Sequence, residues 1–188
     1  MPRPNTTVIL KAIQFAACKH EKQRRKDVGE SPYINHPIAV AYILADVGGV
    51  TDVDALVSAV LHDTIEDTNT TPAELEQQFG QSVLRVVEEK TDDKTLDKEV
   101  RKQLQIELAP RLSALAKAIK LADKICNVRD VIDCPPVGWS IQRRKDYLDW
   151  TEMVVLGCRG TNESLERCYD QLLSAGKNTL EGTPGPKI

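Results

Sequence analysis

The apolar residues of the 188-residue chain recur at intervals of three and four positions, the spacing that predicts amphipathic helices. Segments 8–16 and 53–61 are clear examples, because their Val, Ile, Leu and Ala residues fall on one helical face. No segment shows the alternation of apolar and polar residues that is typical of a half-buried strand. The pattern therefore predicts an all-α protein.

Residues that favour helix starts and ends divide this pattern into about eight or nine helices. The start signals are Pro37 at a first helical position, Thr51 with Asp54, the capping box Thr71 with Glu74, Ser113, Ser140 and Asn162. Gly48, Gly49 and Gly80 suit helix ends. A charged helix is expected over residues 97–108, and an apolar one over about 113–130.

The chain is expected to form one domain over residues 1–176, followed by a flexible tail over 177–188. A chain of this length buries roughly 70% of its unfolded surface, which is enough for one hydrophobic core. Loop 133–138 breaks the helical pattern, but its flanks are too short for independent domains. The tail is rich in Gly and Pro, which favour irregular structure.

Composition and charge narrow the class of protein further. The net charge is -3, with 41% apolar and 28% charged residues, which excludes a disordered chain and gives no general attraction to nucleic acid or an anionic membrane. No apolar run is long enough to span a bilayer. The five cysteines are odd in number and lack C-x-x-C spacing, so we expect reduced thiols in a cytoplasmic protein.

Candidate chemistry is concentrated in the segment 62–67, which contains one of only three histidines. On a helix, His62 shares a face with Glu66, and Asp63 shares a face with Asp67. Four such groups at the end of an apolar helix are costly to desolvate, and a divalent cation would compensate them. The alternative is a helix end that reaches solvent.

Two further residues supply candidate ligands. His36 precedes Pro37 at a helix start, and Asp123 interrupts an apolar and basic run. Taken singly, His36 is explained as a capping or surface residue, and Asp123 as a partner of Lys120 or Lys124. Taken together with His62 and Asp63, they form a mixed nitrogen and oxygen set that suits Mn, Fe or Zn better than Mg or Ca.

Several motifs resemble those of a known family. The motifs are Arg24-Arg25-Lys26-Asp27, Pro32-Tyr33-Ile34-Asn35-His36-Pro37, His62-Asp63-Thr64-Ile65-Glu66-Asp67, and Lys120-Leu121-Ala122-Asp123-Lys124 with Asn127 and Arg129. Together they resemble the HD-domain metal-dependent phosphohydrolases and, more narrowly, the (p)ppGpp hydrolase domain of the RelA/SpoT family. Length and later segments are similar to the stand-alone metazoan members of that family, over about residues 7–175.

The resemblance implies a single-domain, all-α HD-domain bundle and an activity. It implies one Mn²⁺ per chain, held by His36, His62, Asp63 and Asp123. The catalytic pair of the family falls on Glu66 and Asp67, next to these ligands. The reaction would remove the 3′-pyrophosphate of guanosine 3′,5′-bis(diphosphate) or its 5′-triphosphate counterpart, giving GDP or GTP and pyrophosphate.

The resemblance also implies residues that bind the nucleotide substrate. They are Arg25, Lys26 and Asn127 near the nucleotide and metal, and Lys98, Arg101, Arg143 and Tyr147 around distal phosphates. Basic side chains suit a polyanion, because they make charge-assisted hydrogen bonds to phosphate. The chain departs from the family at Cys126, where an aromatic residue or histidine is usual, so base stacking at this position is in doubt.

Two other functions remain open at this point. The same metal site would also serve a phosphatase that acts on the 2′-phosphate of NADPH or on a deoxynucleotide. The second is that of a non-catalytic helical binding module with a structural metal or none. Such a module would not need the carboxylates of Glu66 and Asp67 next to the ligands. No nucleic acid or membrane partner is expected, and a homo-oligomer is possible but undetermined.

Overall fold

The computed structural model describes residues 5–182, and α-helices dominate that range. The α-helices are α1 (Asn5–Lys19), α2 (Asn35–Asp46), α3 (Val53–Leu61), α4 (Thr64–Asp67), α5 (Pro72–Phe79), α6 (Gln81–Lys90), α7 (Lys98–Leu108), α8 (Ala114–Asp133), α9 (Ile141–Leu156) and α10 (Glu163–Leu180). A 3₁₀ turn, Ala109–Arg111, lies between α7 and α8. The all-α prediction is confirmed. If the single-turn α4 is counted with α3, nine helices occupy the described residues, in agreement with the predicted eight or nine.

Most of the predicted helix starts are confirmed. Ser113, Ser140 and Asn162 each accept a hydrogen bond from a backbone N–H three residues later, and Thr71 accepts one from Glu74 N. This contact satisfies one of the N–H groups that a helix start leaves without a partner.

Two start signals were placed wrongly. The cap of α3 is Asp52 rather than Thr51, because the Asp52 side chain accepts a hydrogen bond from Ala55 N at 2.8 Å. Pro37 is the third residue of α2 rather than the first. Proline is tolerated there because N–H groups in the first helical turn have no intrahelical acceptor.

The C-terminal helix extends beyond the predicted end of the domain. α10 continues to Leu180, past residue 177 where the tail was expected to begin. Leu180 is buried and belongs to the main apolar cluster, so packing rather than local composition decides where the helix ends. The rest of the predicted tail, residues 183–188, lies outside the described part of the chain.

The long helix α8 lies at the centre of the fold and packs against α2, α6, α9 and α10. Its buried Ile119, Leu121 and Ile125 belong to the main apolar cluster. A second cluster joins α1, α3, α5 and α6. Helix α2 packs against both α3 and α8, which brings the start of α2, the end of α3 and the middle of α8 together. Among the described residues, no helix is both long and apolar enough to cross a membrane.

The close packing at the end of α9 predicts that Gly157→Ala destabilises the protein. A Cβ atom at Gly157 would lie 2.7 Å from Ala109 Cβ and 2.8 Å from Pro110 Cδ, atoms that cannot rotate away. Overpacking of this kind costs about 1–3 kcal/mol of unfolding free energy, measurable by urea denaturation. Gly29→Ala is the control, because its Cβ would meet no atom within 4 Å. Equal stability of the two variants would contradict the observed packing.

Candidate active site

Three of the four predicted metal ligands, His36, His62 and Asp123, have donor atoms within 4.8 Å of one another, and Asp63 lies beside the two histidines. His36 is the second residue of α2, His62 and Asp63 follow α3, and Asp123 lies in the middle of α8. His36 Nε2 lies 3.1 Å from Asp123 Oδ1, and His62 Nε2 lies 3.9 Å from the same oxygen. Asp63 Oδ2 lies 3.1 Å from His62 Nε2 and 4.0 Å from His36 Nε2.

The two histidines direct Nε2 toward the other candidate ligands. His62 Nδ1 lies 2.8 Å from the backbone carbonyl of Ala59. Burial lowers the pKa of His62, but the neighbouring Asp63 outweighs burial and raises it. Because a carbonyl can only accept, Nδ1 carries a proton, so Nε2 is the nitrogen that faces the other candidate ligands. That nitrogen is buried and has no hydrogen-bond donor among the described residues. Burial lowers the pKa of His36, which favours the neutral form that binds metals. The donor set therefore fits a divalent cation.

Asp123 is held by different partners at its two oxygens. Its Oδ1 accepts a hydrogen bond from Asn127 Nδ2 at 2.6 Å and faces His36. Its Oδ2 lies 3.3 Å from Lys124 Nζ and 3.6 Å from Lys90 Nζ. Burial alone would raise the pKa of Asp123, but the two ammonium groups hold it well below its usual range. The carboxylate is therefore ionised although it is buried.

Asp63 is positioned by a residue to which the sequence analysis gave no role. The hydroxyl of Tyr33 donates a hydrogen bond of 2.6 Å to Asp63 Oδ2. The ring of Tyr33 also lies against His36, with centroids 5.9 Å apart. The only sequence signal for this contact is the place of Tyr33 in the motif that ends at His36.

The predicted catalytic pair lies on the single turn α4, and its two members are held differently. Glu66 Oε2 accepts a hydrogen bond from Asp92 N at 3.0 Å. Asp67 Oδ2 accepts one from Gln23 Nε2 at 2.8 Å, and its Oδ1 accepts one from Lys94. Burial, opposed by the hydrogen bond from Asp92 and reinforced by Asp63, raises the pKa of Glu66 to about 7. A carboxylate with this pKa is suited to proton transfer near neutral pH.

Two cavities meet at the candidate ligands. The small cavity, about 130 Å³, is lined by Tyr33, His36, Asp63, Glu66, Lys90, Gln105, Lys120, Asp123, Lys124 and Asn127. The large cavity, about 630 Å³, has Asp67 in its wall and shares Tyr33, His36 and Asn127 with the small one. Glu66 and Asp67 are neighbours in sequence, yet each lines a different cavity.

The predicted substrate-binding residues divide into two groups. Arg25, Lys26, Asn127 and Tyr147 line the large cavity, as does Cys126. Lys98, Arg101 and Arg143 are not among the described residues that line either cavity. The Arg143 guanidinium lies 4.5 Å from the ring centre of Trp139, which does line the large cavity. Arg143 is therefore one residue removed from that wall.

Arg25 joins the segment before α2 to the central helix. Its guanidinium donates hydrogen bonds to Asp130 and, at 3.4 Å, to Asn127 Oδ1. Its charge also lies 5.6 Å from the ring centre of Tyr33. These contacts fix one wall of the large cavity and place the Arg25 guanidinium in that wall.

The chain is similar to known proteins over most of its length. A family model described as an HD domain matches residues 12–145, which include all four candidate ligands. A Xenopus tropicalis protein named guanosine-3′,5′-bis(diphosphate) 3′-pyrophosphohydrolase MESH1 is 55% identical over 168 residues, covering 89% of this chain and 94% of its own. The human protein of the same name is 54% identical over 164 residues, covering 87% and 92%.

A solved structure is similar over nearly the whole chain. It is a metazoan orthologue of SpoT that is described as hydrolysing ppGpp and as having a role in starvation responses. Its TM-score is 0.88 at 44% identity, and the match covers 93% of this chain and 97% of that one.

The ligand geometry predicts that Asp63→Asn weakens metal binding without unfolding the protein. The amide keeps the shape of the side chain and an oxygen for the Tyr33 hydroxyl, but it removes the ligand charge next to His62. We expect the dissociation constant for the metal to rise by at least about tenfold, the effect of losing about 1.4 kcal/mol of binding free energy. Metal content, measured by atomic emission after gel filtration, is expected to fall accordingly. Asp54→Asn, at the exposed start of α3, is the matched control. Full occupancy in Asp63→Asn would remove this residue from the ligand set.

Proposed function

The chain belongs to the HD-domain family, and we propose that it is a guanosine-3′,5′-bis(diphosphate) 3′-pyrophosphohydrolase of the MESH1 type. The observation that carries the proposal is the small cavity, in which His36, Asp63 and Asp123 lie with the carboxylate of Glu66. The fourth candidate ligand, His62, has its Nε2 3.1 Å from Asp63 Oδ2. A structural metal site does not need a further carboxylate of raised pKa. The relatives that share the name match this chain along nearly its whole length.

The large cavity supports a nucleotide as the substrate. Its volume of about 630 Å³ lies within the range of small-molecule sites. Arg25 and Lys26 supply positive charge in its wall, and Asn127 connects this wall to Asp123. We assign Arg25, Lys26 and Asn127 to the part of the nucleotide next to the metal ligands, since Asn127 lines both cavities.

The distal phosphates are assigned to the part of the large cavity that Tyr147 and Trp139 line. Tyr147 lines it directly, and Arg143 stacks on Trp139 beside it. Lys98 lies close enough to Arg143 and Lys26 for their charges to lower its pKa, after the larger effect of desolvation. Lys98, Arg101 and Arg143 therefore remain proposed contacts, made from α7 and α9 to phosphates that extend beyond the cavity wall.

We propose Mn²⁺, one ion per chain, as the metal. The mixed imidazole and carboxylate set supports a borderline ion of the Mn, Fe and Zn group, and the family resemblance favours manganese within that group. When bound, such an ion polarises a phosphoryl oxygen and lowers the pKa of a coordinated water.

The protein side chains supply the proton transfer and the alignment. Glu66 Oε2 is fixed by Asp92 N, and Oε1, which lies 3.9 Å from Lys94 Nζ, is assigned as the acceptor for the proton of the attacking water. Asp67 is fixed at both oxygens by Gln23 and Lys94 and carries a negative charge into the large cavity. Glu66 is therefore assigned as the general base, and Asp67 as a residue that orients the water and the substrate.

The cell compartment is proposed from the cysteines. All five, including the exposed Cys18 and Cys134, are free thiols. Free exposed thiols suit a reducing compartment, so we assign the protein to the cytoplasm.

A panel of nucleotides tests the proposed activity. With Mn²⁺, the protein is expected to convert ppGpp to GDP and pyrophosphate, measured by anion-exchange chromatography of the products. NADPH, which would release orthophosphate from its 2′ position, and a deoxynucleoside triphosphate complete the panel. Release of orthophosphate from NADPH with no cleavage of ppGpp would replace the proposed substrate and keep the metal site.

The position of Glu66 predicts that Glu66→Gln keeps the fold and the metal but loses most of the turnover. The amide has nearly the same shape and cannot take the proton, so kcat is expected to fall about 10²- to 10⁴-fold. Glu88→Gln, on the exposed face of α6, is the control. Normal turnover in Glu66→Gln would transfer the role of general base to Asp67.

A further inference from the structure

Three lysines lie buried in the wall of the small cavity. Lys90 ends α6, and Lys120 and Lys124 lie one turn apart on α8. Their exposed fractions are 8%, 4% and 5%, respectively. Buried ammonium groups are costly unless a counter-charge or a hydrogen-bond acceptor compensates them.

Two of the three lysines have a partner, and the third does not. Lys90 and Lys124 both face Asp123 Oδ2. Lys120 forms no ion pair or side-chain hydrogen bond within the described residues, although it lines the same cavity. Burial and the two neighbouring ammonium groups lower its pKa to about 7. Gln105 Oε1, in the same wall, is also buried and has no donor in the described part of the chain.

The charges of the cavity favour an anion. Its wall contains three lysines and three carboxylates, those of Asp63, Glu66 and Asp123. A divalent cation held by the candidate ligands leaves an excess of two positive charges. A phosphoryl dianion matches this excess and gives Lys120 the direct ion-pair partner that it lacks among residues 5–182.

The spacing along α8 places Lys120 beside the reacting centre. Lys120, Asp123 and Asn127 follow one another at intervals of three and four residues, so they lie on one face of the helix. Asp123 belongs to the ligand set, and Glu66 lines the same cavity. A lysine here is within the space where charge accumulates on phosphoryl oxygens during hydrolysis.

We propose that Lys120 binds a non-bridging oxygen of the phosphoryl group that reacts in the small cavity, and that inorganic phosphate occupies the same position. The proposal rests on the proposed function for the identity of the reacting group. The phosphate-binding site itself depends only on the cavity and its charges, so it is tested without turnover.

The test is calorimetric titration of the metal-loaded protein with inorganic phosphate. Lys120→Met keeps most of the apolar stem and removes the charge. Its dissociation constant for phosphate is expected to rise about 10- to 100-fold, the effect of losing a charge-assisted hydrogen bond. Lys117→Met is the matched control, on the same helix but outside both cavity walls. Metal content is measured in each sample and is expected to be unchanged.

Stability separates a binding role from a structural one. Because Lys120 is buried and has no ion-pair partner in the described part of the chain, Lys120→Met is expected to melt no lower than the wild type when metal and phosphate are removed. Equal phosphate affinity in Lys120→Met and the wild type would overturn the proposal, as would the absence of phosphate binding in the wild type.

A measurement on the wild type covers the case in which Lys120→Met does not fold. Trace acetylation by acetic anhydride, followed by mass spectrometry, is expected to modify Lys120 less when phosphate is present, with Lys117 as the internal reference. Unchanged labelling overturns the proposal. Failure to cleave ppGpp, with Lys120-dependent phosphate binding intact, overturns the proposed function and leaves this site standing.

Discussion

The site depends on keeping one buried carboxylate, that of Asp123 on α8, in its ionised form. Asp123 is almost inaccessible, yet it keeps its charge because its two oxygens face different compensating groups. One oxygen faces His36 from α2, and the other faces Lys90 from α6 and Lys124 from its own helix. Removing one of these partners leaves the buried charge less well compensated. The electrostatic requirement of one residue therefore fixes how three helices dock.

Local sequence signals were sufficient for most of the fold. The caps at Ser113, Ser140 and Asn162 depend on contacts only three residues apart, which a sequence pattern displays. The choice of Asp52 over Thr51 depends on backbone angles that two adjacent candidates do not reveal. Helix α6 has no side-chain cap and follows α5 across one glycine, so little in the local sequence marks its start.

The ligands of the site could be inferred from sequence, but the groups that orient them could not. Histidine and aspartate are common metal ligands, so they can be recognised as candidates from the sequence alone. In contrast, the contact from Tyr33 to Asp63 spans 30 positions, and that from Gln23 to Asp67 spans 44. No periodicity connects such pairs, since tertiary packing alone brings them together. The sequence shows that Lys98 and Arg101 on α7 are basic, but it does not show in which direction the helix presents them.

Tyr33, His36 and Asn127 lie where the large and the small cavity meet, and the other residues of each cavity wall can change independently in evolution. Cys126 and Val131 line only the large cavity, so substitutions at these positions change its shape while the candidate ligands stay intact. Substrate specificity can thus change from one nucleotide to another through substitutions in the large cavity alone. The residues of the small cavity would be inherited unchanged, so one set of hydrolytic side chains could serve different nucleotide substrates.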